Sequence, residues 1–152
     1  MKREIPLYTL EGVTGAEVTT HYFTTEDGLG LSMLRFNREA STPATNSVMI
    51  VHGLTTSTDM FIMPEHYNLV SYLLDNGYTD VWCLDMRMSN RHQYNLFPHR
   101  YSFDTIAKYD YPPAIDIIRE HVGPDRRLHI IGHCLGSVTL MMSLYGKAID
   151  GI

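Results

Sequence analysis

The chain has 152 residues, 44% of them hydrophobic and 19% charged, and its 12 Lys and Arg against 17 Asp and Glu leave a formal net charge of −5. That length supports one domain with its own core, with residues 1–16 as an N-terminal arm and 17–152 as sheet and helices. Without a basic stripe, a block of like charges or an apolar run near the ~20 residues of a membrane span, the composition argues against nucleic acid, an anionic membrane surface and a transmembrane segment.

Met1 to Gly12 is charged and broken by Pro6, and lacks the apolar core of a signal peptide. Glu17 to Thr25 and Leu29 to Asn37 are β-rich runs around Glu26-Asp27-Gly28, which predicts a β-hairpin at a sheet edge. Glu39 to Asn46, with Pro43, is a polar loop. Ser47 to Val51 runs almost wholly apolar, as a strand covered on both faces does, and ends at His52-Gly53-Leu54. Thr55 to Asp59 forms a capping and turn cluster. Tyr67, Val70, Leu73 and Leu74 fall at helical spacing within Pro64 to Asn76, and Gly77 closes the helix.

Asp80 to Asp85 is the next strand, so strand, helix and strand form a parallel crossover unit. Asp85 and Arg87 at its end are either catalytic or a buried ion pair and loop anchor beside a site. Asn90 to Arg100, with His92, Pro98 and His99, reads as an active-site loop, and its histidines do not match a zinc spacing. Phe103 to Val122 is mostly helical, starting near Asp104, with Ile106, Tyr109, Ile115 and Ile118 inward and Gly123-Pro124 ending it. Pro112-Pro113 must break or kink it in the middle.

Leu128 to Ile131 is a strand, and a helix runs from Gly136 to Tyr145. Val138, Met141, Met142 and Leu144 on that helix read as core, with a methionine-rich ligand surface as the alternative. Between strand and helix stand Gly132-His133-Cys134-Leu135-Gly136, the nucleophile-elbow pattern with cysteine in the reactive position. Gly132 and Gly136 remove side chains where strand and helix come close. The helix N-terminus aims backbone N–H groups and partial positive charge at Cys134, which favours a thiolate and stabilises an oxyanion. Taken alone, the motif also fits a buried cysteine on a turn.

The loop leaving the strand at His52 is placed to complete that chemistry. The backbone N–H groups of Leu54 and Leu135 are the expected oxyanion donors, and the ring of His52 is expected to hold its loop by bonding carbonyls. Cys83 and Cys134 are too few for a disulfide framework, so a reducing, cytoplasmic compartment is expected. No metal site and no cofactor motif is found; in particular no dinucleotide fingerprint is present.

Over residues 20 to 150 the chain resembles the N-terminal half of an α/β-hydrolase, and within that superfamily the acid lipase group. The resemblance is carried by Val51-His52-Gly53-Leu54, by Gly77-Tyr78 with Val81-Trp82 to Arg87, and by Gly132-His133-Cys134-Leu135-Gly136. More specific is Tyr101-Ser102-Phe103-Asp104 with Ala107-Lys108-Tyr109-Asp110-Tyr111-Pro112. It implies an α/β fold: a partial sheet with an N-terminal antiparallel hairpin, parallel strands after it, helices on both faces and the later strands missing. It also marks Gly53, His133, Gly136, Asp85 and Arg87 as supports of the site.

Acid lipases carry Ser where this chain has Cys134. The elbow and the segment Leu84 to Ser89 look closer to hydrolase modules associated with cholesterol oxidase-like flavin enzymes of the glucose-methanol-choline type, which implies an apolar, sterol-like ester as substrate and a flavin oxidoreductase module as partner. In the resembling fold the acid and histidine of the triad come after the nucleophile, whereas here only Asp150 and no histidine comes after Cys134. The expectation is therefore an inactive portion of a longer hydrolase, with an apolar sheet edge that invites self-association. A non-catalytic module binding an apolar ligand or partner enzyme, and an acyltransferase of the polyester synthase kind, are the alternatives.

Overall fold

The computed structural model describes residues 12–38, 46–92, 95, 101–123 and 125–149. The N-terminal arm up to residue 11, Pro43, Pro98, His99, Pro124 and Asp150 lie outside the described residues.

The hairpin forms as its sequence requires. Strands β1 (Glu17–Thr24) and β2 (Gly30–Asn37) pair antiparallel, with Glu17 opposite Asn37 and Thr24 opposite Gly30. In the turn, the Thr25 N–H donates to the Leu29 carbonyl at 2.8 Å, and Gly28 adopts φ 87°, which favours glycine. Strands β3 (Asn46–Val51), β4 (Asp80–Asp85) and β5 (Arg127–Gly132) complete a five-stranded sheet in the order β1-β2-β4-β3-β5. β3 lies parallel between β4 and β5, and β2 joins the hairpin to β4 antiparallel.

Period-two alternation splits the core into two layers. On one face Leu34, Phe36, Val48, Ile50, Val81 and Cys83 pack with Phe61, Ile62, Val70, Leu73 and Leu74. On the other, Met33, Met49, Val51, Trp82 and Leu84 meet Ile106, Tyr111, Ile115, Ile118, Leu135 and Leu140. Helices thus cover both faces, and β3 is covered on each side.

Three helical expectations are corrected. Helix α1 spans only Leu69–Asp75, because the Asn68 side chain accepts from the Ser71 N–H at 2.9 Å and caps it there. Tyr67 precedes the cap, is 67% exposed and donates to the Asp75 carboxylate instead of facing inward. Between β3 and α1 only a short 3-10 turn, Thr58–Phe61, forms, capped by Ser57.

The segment after residue 102 makes two helices, α2 (Phe103–Tyr109) and α3 (Tyr111–Val122), starting from a Ser102 cap rather than from Asp104. They break at Asp110, ahead of the prolines rather than at them, since Pro112 and Pro113 sit in the first turn of α3 where missing N–H groups cost nothing. Tyr111, not Tyr109, is the fully buried aromatic of this segment.

Helix α4 (Leu135–Tyr145) buries the stripe Leu135, Gly136, Thr139, Leu140 and Ser143. Val138 and Met141, expected in the core, are 49% and 44% exposed. They lie with Tyr145 on a face of α4 that no described element covers, and β5 pairs only with β3 among the described residues.

Candidate active site

The elbow is built where β5 hands over to α4. The His133 N–H donates to the Val51 carbonyl at 2.9 Å, which carries the β3–β5 pairing to the point of the turn. Cys134 is next, at φ 52° and ψ −118°, a left-handed backbone that a non-glycine residue adopts only where its surroundings enforce it. The Gly136 N–H then donates to the His133 carbonyl at 2.9 Å and the Ser137 N–H to the Cys134 carbonyl at 3.0 Å. The Ser137 hydroxyl ties back to the Gly132 carbonyl at 2.6 Å.

The glycines are required by contact. A Cβ on Gly132 would lie 2.8 Å from the Ser137 Cα, and one on Gly136 would lie 2.5 Å from the His52 carbonyl oxygen. A Cβ on Gly53 would lie 2.9 Å from the Cys134 Cβ, so the loop after β3 is pressed directly against the elbow. Leu54 comes next on that loop, 51% exposed, and Leu135 opens α4, buried at 6%. The exposed residues Leu54, His133 and Cys134 form the open side of the site.

The two thiols differ sharply. Cys134 is exposed, whereas Cys83 is fully buried in β4 and burial pushes its thiol well above the usual value.

His52 has no access to substrate. Fully buried, its Nδ1–H donates to the Gly53 carbonyl at 2.7 Å and its Nε2 accepts from the Met86 N–H at 3.1 Å, joining the ends of β3 and β4. Burial lowers its pKa despite Asp85 at 4.0 Å, which keeps the ring neutral in this role. His92 is likewise buried, its Nε2 3.0 Å from the Asp85 carbonyl oxygen and 3.2 Å from the Ser32 nitrogen, and burial lowers its pKa too.

Asp85 and Arg87 do not pair with each other. Asp85 accepts from the Thr58 N–H at 2.9 Å, the Thr58 hydroxyl at 2.7 Å and the Ser89 hydroxyl at 2.7 Å, fastening the loop after β3. Arg87 donates through Nε to Asp110 at 2.7 Å and through Nη1 to Asp27 at 2.7 Å, so one guanidinium clasps the hairpin turn and the α2–α3 junction. The Ala-Lys-Tyr-Asp block therefore contributes a structural carboxylate, Asp110. These partners were not legible as site residues: they lie 23 and 60 residues away from Arg87.

Tyr111 and Thr139 carried no site signal in the sequence either, although their hydroxyls meet beneath the elbow. Among the described residues no group of three or more His, Cys, Asp or Glu is placed to hold a metal ion. No helix among them is long and apolar enough to cross a membrane.

A strand, a turn with its reactive residue at positive φ, and a helix behind it, next to a parallel strand with a His-Gly loop, define the architecture. A family profile described as alpha/beta hydrolase fold matches residues 46–145. The chain belongs to this α/β-hydrolase fold family. Lipase 1 of Drosophila melanogaster is 31% identical over 136 residues, which cover 84% of this chain and 30% of that protein. Human lipase member K is 35% identical over 129 residues, covering 75% of this chain and 31% of its own length. Human gastric triacylglycerol lipase is 31% identical over 124 residues, covering 74% and 31%.

The α/β-hydrolase chain is thus similar to lipases over part of their length. It spans about 30% of the length of the curated relatives it matches. Among solved structures, esterase Est22 superposes with a TM-score of 0.66 at 15% identity, over 92% of this chain and 42% of that one. The Pyrococcus furiosus esterase Pf2001 superposes with a TM-score of 0.63 at 21% identity, over 85% and 46%. Both likenesses are of fold.

Proposed function

We propose that Cys134 is the nucleophile of a lipase- or esterase-like hydrolase acting on carboxylic esters or thioesters. One observation carries this reading: Cys134 is an exposed thiol held at φ 52° on the turn into α4. A thiol buried among aliphatic side chains would need no such backbone.

In this mechanism the Cys134 thiolate attacks the carbonyl carbon, and the resulting oxyanion accepts from the Leu54 and Leu135 N–H groups. Collapse expels the alcohol or thiol, protonated by a histidine, and leaves an acyl thioester on Cys134. Water, activated by the same histidine, then releases the acid and frees the thiol. We assign that histidine and its carboxylate partner to sequence after residue 152. His52 and His92 are buried and engaged by backbone groups and do not supply the base.

The exposed Leu54 on the open side favours an apolar acyl or alcohol group. In line with the lipase relatives we take the substrate to be an apolar ester, sterol-like by the sequence resemblance, with a flavin oxidoreductase module as partner. Two free thiols suit a reducing, cytoplasmic setting.

The full-length protein should give a burst of product from an aryl ester that Cys134→Ala abolishes. An unchanged burst removes Cys134 from the mechanism. The 152-residue chain alone should show no turnover.

A further inference from the structure

We propose that Tyr111 is a positioning residue for Cys134: with Thr139 it clamps the first turn of α4 from beneath and so holds the elbow in the geometry that presents the thiol. The inference extends the reading of Cys134 as nucleophile, and its test is independent of turnover.

Tyr111 and Thr139 are both fully buried. The Tyr111 Oη lies 2.9 Å from the Gly136 carbonyl oxygen and 2.8 Å from the Thr139 Oγ1, and the Thr139 Oγ1 lies 2.9 Å from the Leu135 carbonyl oxygen. Two hydroxyl protons fill two of these three contacts at a time. Thr139 donates to Tyr111, which donates to the Gly136 carbonyl, or Tyr111 donates to Thr139, which donates to the Leu135 carbonyl. Either chain ends on one of the two residues directly after Cys134.

Burial also pushes the Tyr111 phenol up, so it stays a donor at any working pH. Its own place is fixed from the other side. Tyr111 opens α3 immediately after Asp110, whose carboxylate accepts from both the backbone N–H of Arg87 at 2.9 Å and its Nε at 2.7 Å.

A positive φ at a residue with a side chain persists only where neighbours over-determine it. At Cys134 the constraints come from three directions: the His133 N–H on Val51, the loop at Gly53, and this hydroxyl pair under the helix. Of these three, the pair is the one that acts on the α4 side, on the carbonyls of Leu135 and Gly136 directly after Cys134. Loosening that turn lets the positive-φ backbone at Cys134 relax and moves the exposed thiol out of place without removing any group that touches substrate.

The test is alkylation of Cys134 by iodoacetamide, monitored by mass spectrometry across the neutral to mildly alkaline range, with thermal melting in parallel. Tyr111→Phe and Thr139→Val should each change the alkylation rate near neutral pH by roughly threefold or more. Thr139→Ser, which keeps the hydroxyl, should restore the native profile. A lowered melting temperature with an unchanged rate overturns the proposal and leaves the pair a packing feature. If Tyr111→Phe does not fold, the Thr139→Val and Thr139→Ser pair decides by the same readout. Loss of the ester burst on Cys134→Ala is a separate result, so failure of the hydrolase reading and failure of the clamp are distinguished.

Discussion

At the residue scale, the two cysteines predict opposite behaviour, since Cys83 lies within a strand and Cys134 just beyond the end of one. Ellman's reagent should titrate one thiol in the folded chain and a second only in denaturant, because Cys83 is sealed in the sheet and Cys134 is not. Two rapid equivalents in the native state would show that β4 is open to solvent.

Gly136 offers a sharper check. Its added Cβ would meet the backbone carbonyls of His52 at 2.5 Å and Val51 at 2.9 Å, neither of which is a flexible side-chain end. Gly136→Ala should therefore destabilise the fold by about 1–3 kcal/mol, as overpacking does, read from denaturant unfolding. Gly132, Cys134 and Gly136 were legible in sequence because the turn they build is local. The Tyr111–Thr139 contact was not, since it joins residues 28 apart on different helices.

At the scale of elements, the strands were legible nearly to the residue from their apolar alternation, and the helices less well. Asn68 shows why. A capping side chain offers the backbone a partner outside the helix, and apolar spacing carries no record of that competition. The same holds at Asp110, where the chain breaks before Pro112 because the first turn of a helix is where proline fits.

The seam between β1 and α3 carries a titratable cluster that no pattern announced. The His21 and His121 rings stand edge to face at 4.7 Å, with Trp82 5.1 Å from His21, the Arg35 guanidinium 4.8 Å over Trp82, and Asp80 bonded to both Arg35 and Trp82. Burial, then His121 and Arg35, lower the His21 pKa from 6.5, with Asp80 opposing. The unfolded chain therefore binds this proton more readily than the folded one. The stability is complete above the unfolded value of 6.5 and is lost as the pH falls through the depressed folded value.

His52 and His92 act with the same sign. Asp110, whose carboxyl burial pushes up to about 6, acts against them by favouring the protonated folded form as the pH drops. The local readout separates the two. Amide exchange in β1, corrected for intrinsic rates, should rise on going from about pH 7.5 to about pH 5.5, and His21→Gln should flatten that rise. An equal rise in the variant would place the acid sensitivity elsewhere.

At the scale of the whole molecule, one long edge differs from the other. β1 exposes Glu17, Thr19, Thr20 and Thr24 with one aromatic, Tyr22, whereas β5 carries exposed Ile131 beside Val138, Met141 and Tyr145 of α4. The sequence pattern anticipates the apolar strand but places Val138 and Met141 in a core, because amphipathic spacing reveals a stripe and not whether anything covers it. The isolated chain should self-associate through this side. Light scattering at increasing concentration should show mass above 17.4 kDa, and Ile131→Lys should return it to the monomer. A constant monomer mass would refute the contact.

Arg87 gives the fold a single point of failure. Its guanidinium is the cation between Asp27 and Asp110, on the hairpin turn and at the start of the helix that carries Tyr111. Replacing it with an isosteric neutral chain would strand two acids around a cation-shaped gap, one of them fully interior. The damage would then spread along both branches at once: the edge ribbon would detach at its tip while the footing of the Cys134 turn gave way some distance off, although Arg87 itself does not touch the thiol.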